Sequence, residues 1–141
     1  MTTQQPYRRP LPVSQPEYDF YWEKTKAHEL WIMHCDDCNK AYFYPRPICP
    51  ICFSRNTRWM QSSGKGSLLA FAIVQRAPTP AFADMVPFVT AIVELEDGAR
   101  FPTNLVEVEP DQSKIKVGMP VQVVFDDVTE NVTLPKFRPS S

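Results

Sequence analysis

At 141 residues the chain is long enough for one ordinary domain with a small appendage, and its 43% hydrophobic content is that of a globular protein. No apolar run approaches the length that crosses a bilayer, so no membrane association is expected. A net charge of −1 provides no general attraction for nucleic acid or anionic lipid.

Residues 1–13 are polar and proline-spaced and read as an arm that lies on another surface or stays mobile. Ser14-Gln15-Pro16-Glu17 is a helix start, with Ser14 as N-cap, Pro16 in the first turn and Glu17 as the capping-box acid. The predicted helix runs to about His28. Tyr18, Tyr21, Trp22 and Thr25 fall on one stripe of it, either buried against the chain's own core or offered to a partner. Glu29 to His34 is a strand leading into Cys35-x-x-Cys38, and Lys40 to Tyr44 leads away toward Cys49-x-x-Cys52.

These are the only four cysteines, in two pairs separated by ten residues. Each pair lets two thiolates converge on one ion, and a short strand-turn-strand closes four of them into a tetrahedron. Zn²⁺ suits such a site, which has no open coordination position and is therefore structural; an iron centre is the alternative occupant. Two disulfides or a redox pair compete with this reading. The opening MTTQQPYRRP has no signal-peptide character, so a cytoplasmic location is expected and an oxidising compartment is unsupported. The residue after the second cysteine of such a knuckle needs a positive φ, usually supplied by Gly. Asn39 and Phe53 stand there instead, and the Phe implies a second knuckle that is distorted or differently built.

From Trp59 onward the sequence reads as β. Gly64-Lys65-Gly66 looks like a hinge. Ser67 to Gln75 is a long apolar strand, buried on both faces or strongly curved. Phe88 to Glu96, the turn Asp97-Gly98 and Ala99 to Val106 form a hairpin. Pro110 to Gly118 has room for one helical turn, and Pro120 to Asp126 and Val132 to Phe137 complete the strands. Five strands around a central hairpin predict a small closed barrel of the OB type. The fold class is thus mainly β: arm and helix over 1–30, a zinc ribbon over 31–60 and the barrel over 61–141. Residues 76–87, with three prolines and Phe82 and Met85, form a stiff twelve-residue connection that either carries function or folds over the barrel mouth.

Taken in order, Cys35-x-x-Cys38, Tyr44-Pro45-Arg46, Cys49-Pro50-x-Cys52, Gly64-x-Gly66, Pro87-Phe88-Val89, Val93-Glu94-Leu95, Thr103-Asn104-Leu105, Val117-Gly118-Met119-Pro120-Val121 and Leu134-Pro135-x-Phe137-Arg138-Pro139 resemble the DUF35 family. Its members are acyl-CoA-associated proteins built from a rubredoxin-like zinc ribbon and an OB-fold, and the resemblance covers roughly residues 15–139. It implies a small subunit paired with a thiolase-like protein that performs condensation, thiolysis or retro-aldol cleavage. By the same resemblance the assembly is two-plus-two, and the small subunit shapes the CoA entrance.

Independent catalysis is not expected. The thiols are committed to metal, and only His28 and His34 could serve as bases. CoA phosphates call for Arg or Lys, and Arg46, Arg55, Arg58 and Lys65 cluster in or just after the ribbon. Tyr18, Tyr21, Trp22, Phe82 and Met85 are the candidate partner contacts. Single-stranded nucleic-acid binding is the alternative function, since ribbons and OB barrels both perform it. Charge argues against it: residues 1–66 carry +3, but the barrel half, 67–141, carries −4.

Overall fold

The computed structural model describes residues 7–140, so the first six residues of the expected arm lie outside it. The helix α1 (Asp19–Lys26) is shorter than its capping signal suggested. Ser14 donates its hydroxyl to the Asp19 carboxylate and accepts no helix N–H as a cap would, and residues 16–18 form a turn. Tyr18 holds the N-cap position with no side-chain cap. Pro16 and Glu17 therefore precede the helix.

A three-stranded antiparallel sheet follows, ordered β2-β1-β3 from β1 (Trp31–Cys35), β2 (Lys40–Tyr42) and β3 (Thr57–Gln61). Five further strands close into a barrel: β4 (Lys65–Val74), β5 (Phe88–Leu95), β6 (Arg100–Leu105), β7 (Pro120–Asp127) and β8 (Thr133–Pro139), in the order β4-β5-β6-β8-β7. Residues 65–67 of β4 pair with 120–122 of β7 and complete the cylinder. Alternation of inward and outward side chains is clean on β5, where Val89, Ala91, Val93 and Leu95 are buried. Phe101, Leu105, Ile115, Val121 and Phe137 fill the rest of the interior.

The long strand β4 is curved and not buried on both faces. Its register against β5 slips between Leu68 and Ala70, a bulge that bends the strand, and Ala70 and Ala72 face outward. Nor is Gly64-Lys65-Gly66 a hinge, because Lys65 and Gly66 already belong to β4. Both glycines are required by space: a Cβ on Gly64, at φ +76°, would lie 2.3 Å from Val123 Cγ1. One on Gly66 would lie 2.3 Å from the Glu94 carbonyl oxygen. In 110–118 the chain makes two isolated turns in place of a helix, closed by Lys114 N–H to Asp111 O at 2.9 Å and by Met119 N–H to Lys116 O at 3.1 Å.

An aromatic column joins the three pieces. Tyr21 on α1 meets Phe43 just past β2 (5.4 Å between ring centroids), Phe43 meets Phe101 of β6 (4.4 Å), and Phe101 meets Phe137 of β8 (5.8 Å). The helix also lays Phe20 against Trp31 and Trp59 of the ribbon sheet. Its C-terminal end is fastened to the barrel by His28, whose ring stacks on Phe125 while Nε2 lies 3.0 Å from Asp127 Oδ1. Asp127 accepts a second bond, 2.5 Å long, from Thr133 Oγ1.

Candidate metal centre

The knuckles follow from local backbone chemistry. Cys35 ends β1, and the next turn returns to Lys40 through Asn39 at φ +56°. The second turn is of the same kind, since Phe53 adopts φ +65°. The expectation of a differently built second knuckle is therefore overturned; the backbone imposes its geometry on Phe, at a strain of about 1–2 kcal/mol. Phe53 N–H donates to Cys49 O, and Cys49 N–H to Ser54 O, both at 2.9 Å. Ile51 N–H points at Cys49 Sγ, 3.3 Å away.

Cross-braces hold the two turns together. Asp37 accepts from Ser54 Oγ and from Asn56 Nδ2, which keeps its carboxyl below the usual carboxylate range. Tyr42 donates its hydroxyl to Arg46 O at 2.5 Å, and Thr57 donates to Pro47 O at 2.9 Å. The segment entering the second knuckle is thereby tied to the sheet on both sides.

All four cysteines are free thiols, and their sulfur atoms lie within 4.8 Å of one another. Cys35 Sγ is 3.6 Å from Cys52 Sγ, and Cys38 Sγ is 3.7 Å from Cys49 Sγ. A tetrahedron with metal–sulfur bonds of about 2.3 Å has edges of about 3.8 Å, so the donor set matches a single four-coordinate ion in both chemistry and size. Disulfides need sulfurs about 2.0 Å apart, so these thiols are unpaired. Burial and the neighbouring thiols push Cys38 up to about 12. Burial also acts to raise Cys49, but the N–H groups of Cys52 and Ile51 outweigh it and bring this thiol down to about 7.

The other candidate residues are spread over several elements. Arg46 and Arg55 are exposed on the loop that carries the second knuckle, Arg58 lies on β3 and Lys65 on β4. Arg58 is engaged by Asp36, with Nε 3.0 Å from Oδ1, and His34 Nδ1 reaches the same oxygen at 3.1 Å. Tyr21 is 4% exposed, packed into the core with only its edge on the cleft that Tyr18 and Trp22 line. Tyr18 and Trp22 line an apolar cleft of about 560 Å³ between helix, ribbon and barrel, together with Phe43, Tyr44, Phe101 and Pro135. Phe82 stacks on Phe88 beside a single 3₁₀ turn (Pro80–Phe82), and Arg9 lies over its ring while pairing with Asp84 at 2.8 Å. The 76–87 connection is thus strapped down by the arm. Of the barrel phenylalanines, Phe101 is buried and Phe71 and Phe88 are half-buried.

Sequence reasoning passed over Tyr44, which is half-exposed and lines both this cleft and a second hollow on the outer barrel face. It also passed over the apolar tip formed by Ile48, Ile51 and Phe53. The only signal for the tip was the Phe standing in a glycine's place.

A ribbon with four convergent thiols, joined by an aromatic column to an OB barrel, defines a zinc-ribbon/OB-fold protein. The chain belongs to the DUF35 family. Residues 22–58 match the family described as "ChsH2, rubredoxin-like zinc ribbon domain" and residues 59–126 match "ChsH2, C-terminal OB-fold domain". A DUF35 domain-containing scaffold protein of Methanothermobacter thermautotrophicus is 38% identical over 106 residues, covering 74% of this chain and 77% of that one. A probable enoyl-CoA hydratase alpha subunit of Thermomonospora curvata is 36% identical over 132 residues, 94% of this chain but only 40% of the length of that relative. Among solved structures, a chain of the Ltp2-ChsH2(DUF35) aldolase superposes with a TM-score of 0.79 at 34% identity, covering 93% of this chain and all of that one. Among the described residues, no helix is long and apolar enough to cross a membrane.

Proposed function

We propose that this chain is a non-catalytic, zinc-holding subunit that pairs with a thiolase-like enzyme acting on acyl-CoA thioesters by thiolysis, condensation or retro-aldol cleavage. The observation that carries the reading is the near-complete overlay on a chain of the Ltp2-ChsH2(DUF35) aldolase. The scaffold designation of the archaeal relative points the same way. The hydratase named for the longer relative belongs to a whole protein of which this chain matches two fifths.

Cys35, Cys38, Cys49 and Cys52 would hold the ion, which when bound cross-links the two knuckles without an open coordination position. The remaining residues support a structural division of labour. Both histidines are engaged, His28 with Asp127 and His34 with Asp36, and the cleft is lined mainly by aromatic and proline side chains. Tyr18 and Trp22 in that cleft, with the Phe82 and Met85 loop, are proposed to meet the partner in a two-plus-two assembly. At the CoA entrance the exposed Arg46, Arg55 and Lys65 would attract the phosphates, while Arg58 contributes through its pair with Asp36.

Co-expression with a thiolase-like protein from the same genome, followed by size-exclusion chromatography, tests the assembly. Co-elution is the expected result. Separate elution combined with tight binding to single-stranded DNA would reverse the reading in favour of nucleic-acid recognition. Replacing Arg46 and Arg55 together with Ala should weaken acyl-CoA affinity of the complex, and unchanged affinity removes both from the CoA entrance. Metal analysis separates zinc from iron, since only a ferric tetrathiolate is red.

A further inference from the structure

Hydrogen bonds restrain the second knuckle differently on its two sides. The chain entering it is tied to the ribbon sheet, by Tyr42 at Arg46 O and by Thr57 at Pro47 O. The chain leaving it is tied to the first knuckle, by the two residues that stand between Cys35 and Cys38. Asp36 N–H donates to Asn56 O at 2.9 Å. The Asp37 carboxylate accepts from Ser54 Oγ and, at 3.2 Å, from Asn56 Nδ2. Ser54 in turn accepts from Asn56 N–H at Oγ, 3.0 Å away, and from Cys49 N–H at its carbonyl, 2.9 Å away. One side chain, Asp37, therefore gathers 54–56 onto the opposite knuckle, through bonds that its charge strengthens.

This latch begins two residues after Cys52. Cys35 and Cys49 are buried and Cys38 is half-buried, whereas Cys52 is exposed. Cys52 is thus the sulfur that can swing into solvent with least disturbance of the rest. Swinging it out carries Phe53 and Ser54 along and breaks the bond from Ser54 to Asp37. We propose that Asp37 is a positioning residue of the metal centre. It supplies no ligand atom, but by latching Ser54 and Asn56 it keeps Cys52 in the donor set and sets how long the ion is retained. Groups that orient ligands from outside the coordination sphere commonly change metal affinity by 10–100-fold. The inference rests on the four-thiolate reading above.

Asp37→Ala in the full chain should lose Zn²⁺ to a chromogenic chelator about tenfold faster than the wild type, and bind Co²⁺ about tenfold more weakly. The visible absorption bands of its Co²⁺ form should keep the wild-type positions, because all four sulfurs remain. Ser54→Ala should speed release in the same direction. The Asp37→Ala, Ser54→Ala double variant should be little faster than Asp37→Ala, as when two changes break one link. Asp37→Asn keeps an oxygen acceptor without the charge, and should retain the ion longer than Asp37→Ala. Release from Asp37→Ala at the wild-type rate, or additive effects of the two alanine changes, overturns the latch and leaves the metal site standing. Asp37→Asn as fast as Asp37→Ala overturns it in favour of a pure charge effect, and displaced Co²⁺ bands overturn it in favour of an altered ligand set. A wild-type chain that takes up neither Zn²⁺ nor Co²⁺ overturns the metal reading and this inference together.

Discussion

Gly66 illustrates how tightly single positions are constrained. A methyl group there would press on the Glu94 carbonyl of the adjacent strand, and a paired backbone cannot swing aside as a side chain can. Gly66→Ala should therefore cost about 2–4 kcal/mol, read as a lower urea midpoint with unchanged slope. Asp127 is a different case, since its role depends on charge. The hydrogen bond from Thr133, and then His28, hold its carboxyl below the usual carboxylate value. A depressed carboxylate stabilises the folded state above its unfolded pKa and loses that contribution as pH falls through the folded value. The urea midpoint of the wild type should thus drop between about pH 5 and pH 3, and Asp127→Asn should flatten part of that drop.

The ribbon sheet depends on its ion at the scale of elements. Its private core is only Met33, Cys35, Tyr42 and Cys49, too small to offset the entropy of ordering three strands and two turns. Binding energy at such a site is folding energy. Removing the metal with a chelator, or replacing Cys35 with Ser, should unravel β1–β3 and the knuckles. Trp31 and Trp59 lie in that sheet, so tryptophan emission should shift to the red while barrel β-signal in circular dichroism persists. Retention of native emission after complete metal loss would contradict this account. Affinity should also fall as pH is lowered, because protons compete for the same thiolates.

These elements were legible in the sequence to different degrees. The barrel strands were readable because alternation, the Asp97-Gly98 turn and the spacing of apolar runs all agreed. The helix start was misread because the Ser14 hydroxyl is drawn to the Asp19 carboxylate and Tyr18 takes the cap position, which no capping rule weighs. The cysteine spacing identified the ligands; the conformation of Phe53 could not be read from it, since the knuckle's geometry overrode a residue's preference. Burial of Tyr21 was one of the two readings of its stripe, and Phe43 arriving from another element decides it.

In the whole molecule, helix, ribbon and barrel are held as one body by the aromatic column. Phe43 is its central link, touching Tyr21 on one side and Phe101 on the other. Phe43→Ala should cost about 3–4 kcal/mol and should separate ribbon and barrel unfolding into two calorimetric transitions. A single transition in that variant would show that α1, through Phe20 and His28, suffices to couple them.

The barrel wall is not equally strong all the way round. Strands β6 and β8 share a single bridging pair, Leu105 with Phe137, whereas β4 and β5 share eight. Pro102 and Pro135 sit in the two sparse strands and have no amide hydrogen to give. Thr103 partly compensates by donating its hydroxyl to Pro135 O at 3.2 Å, and Val106 N–H reaches Phe137 O at 2.7 Å. The cylinder consequently has a built-in slit beside Tyr44 and the aromatic cleft, and breathing of the wall is directed to that side. Deuterium should enter at Val106 long before it enters the β4–β5 ladder.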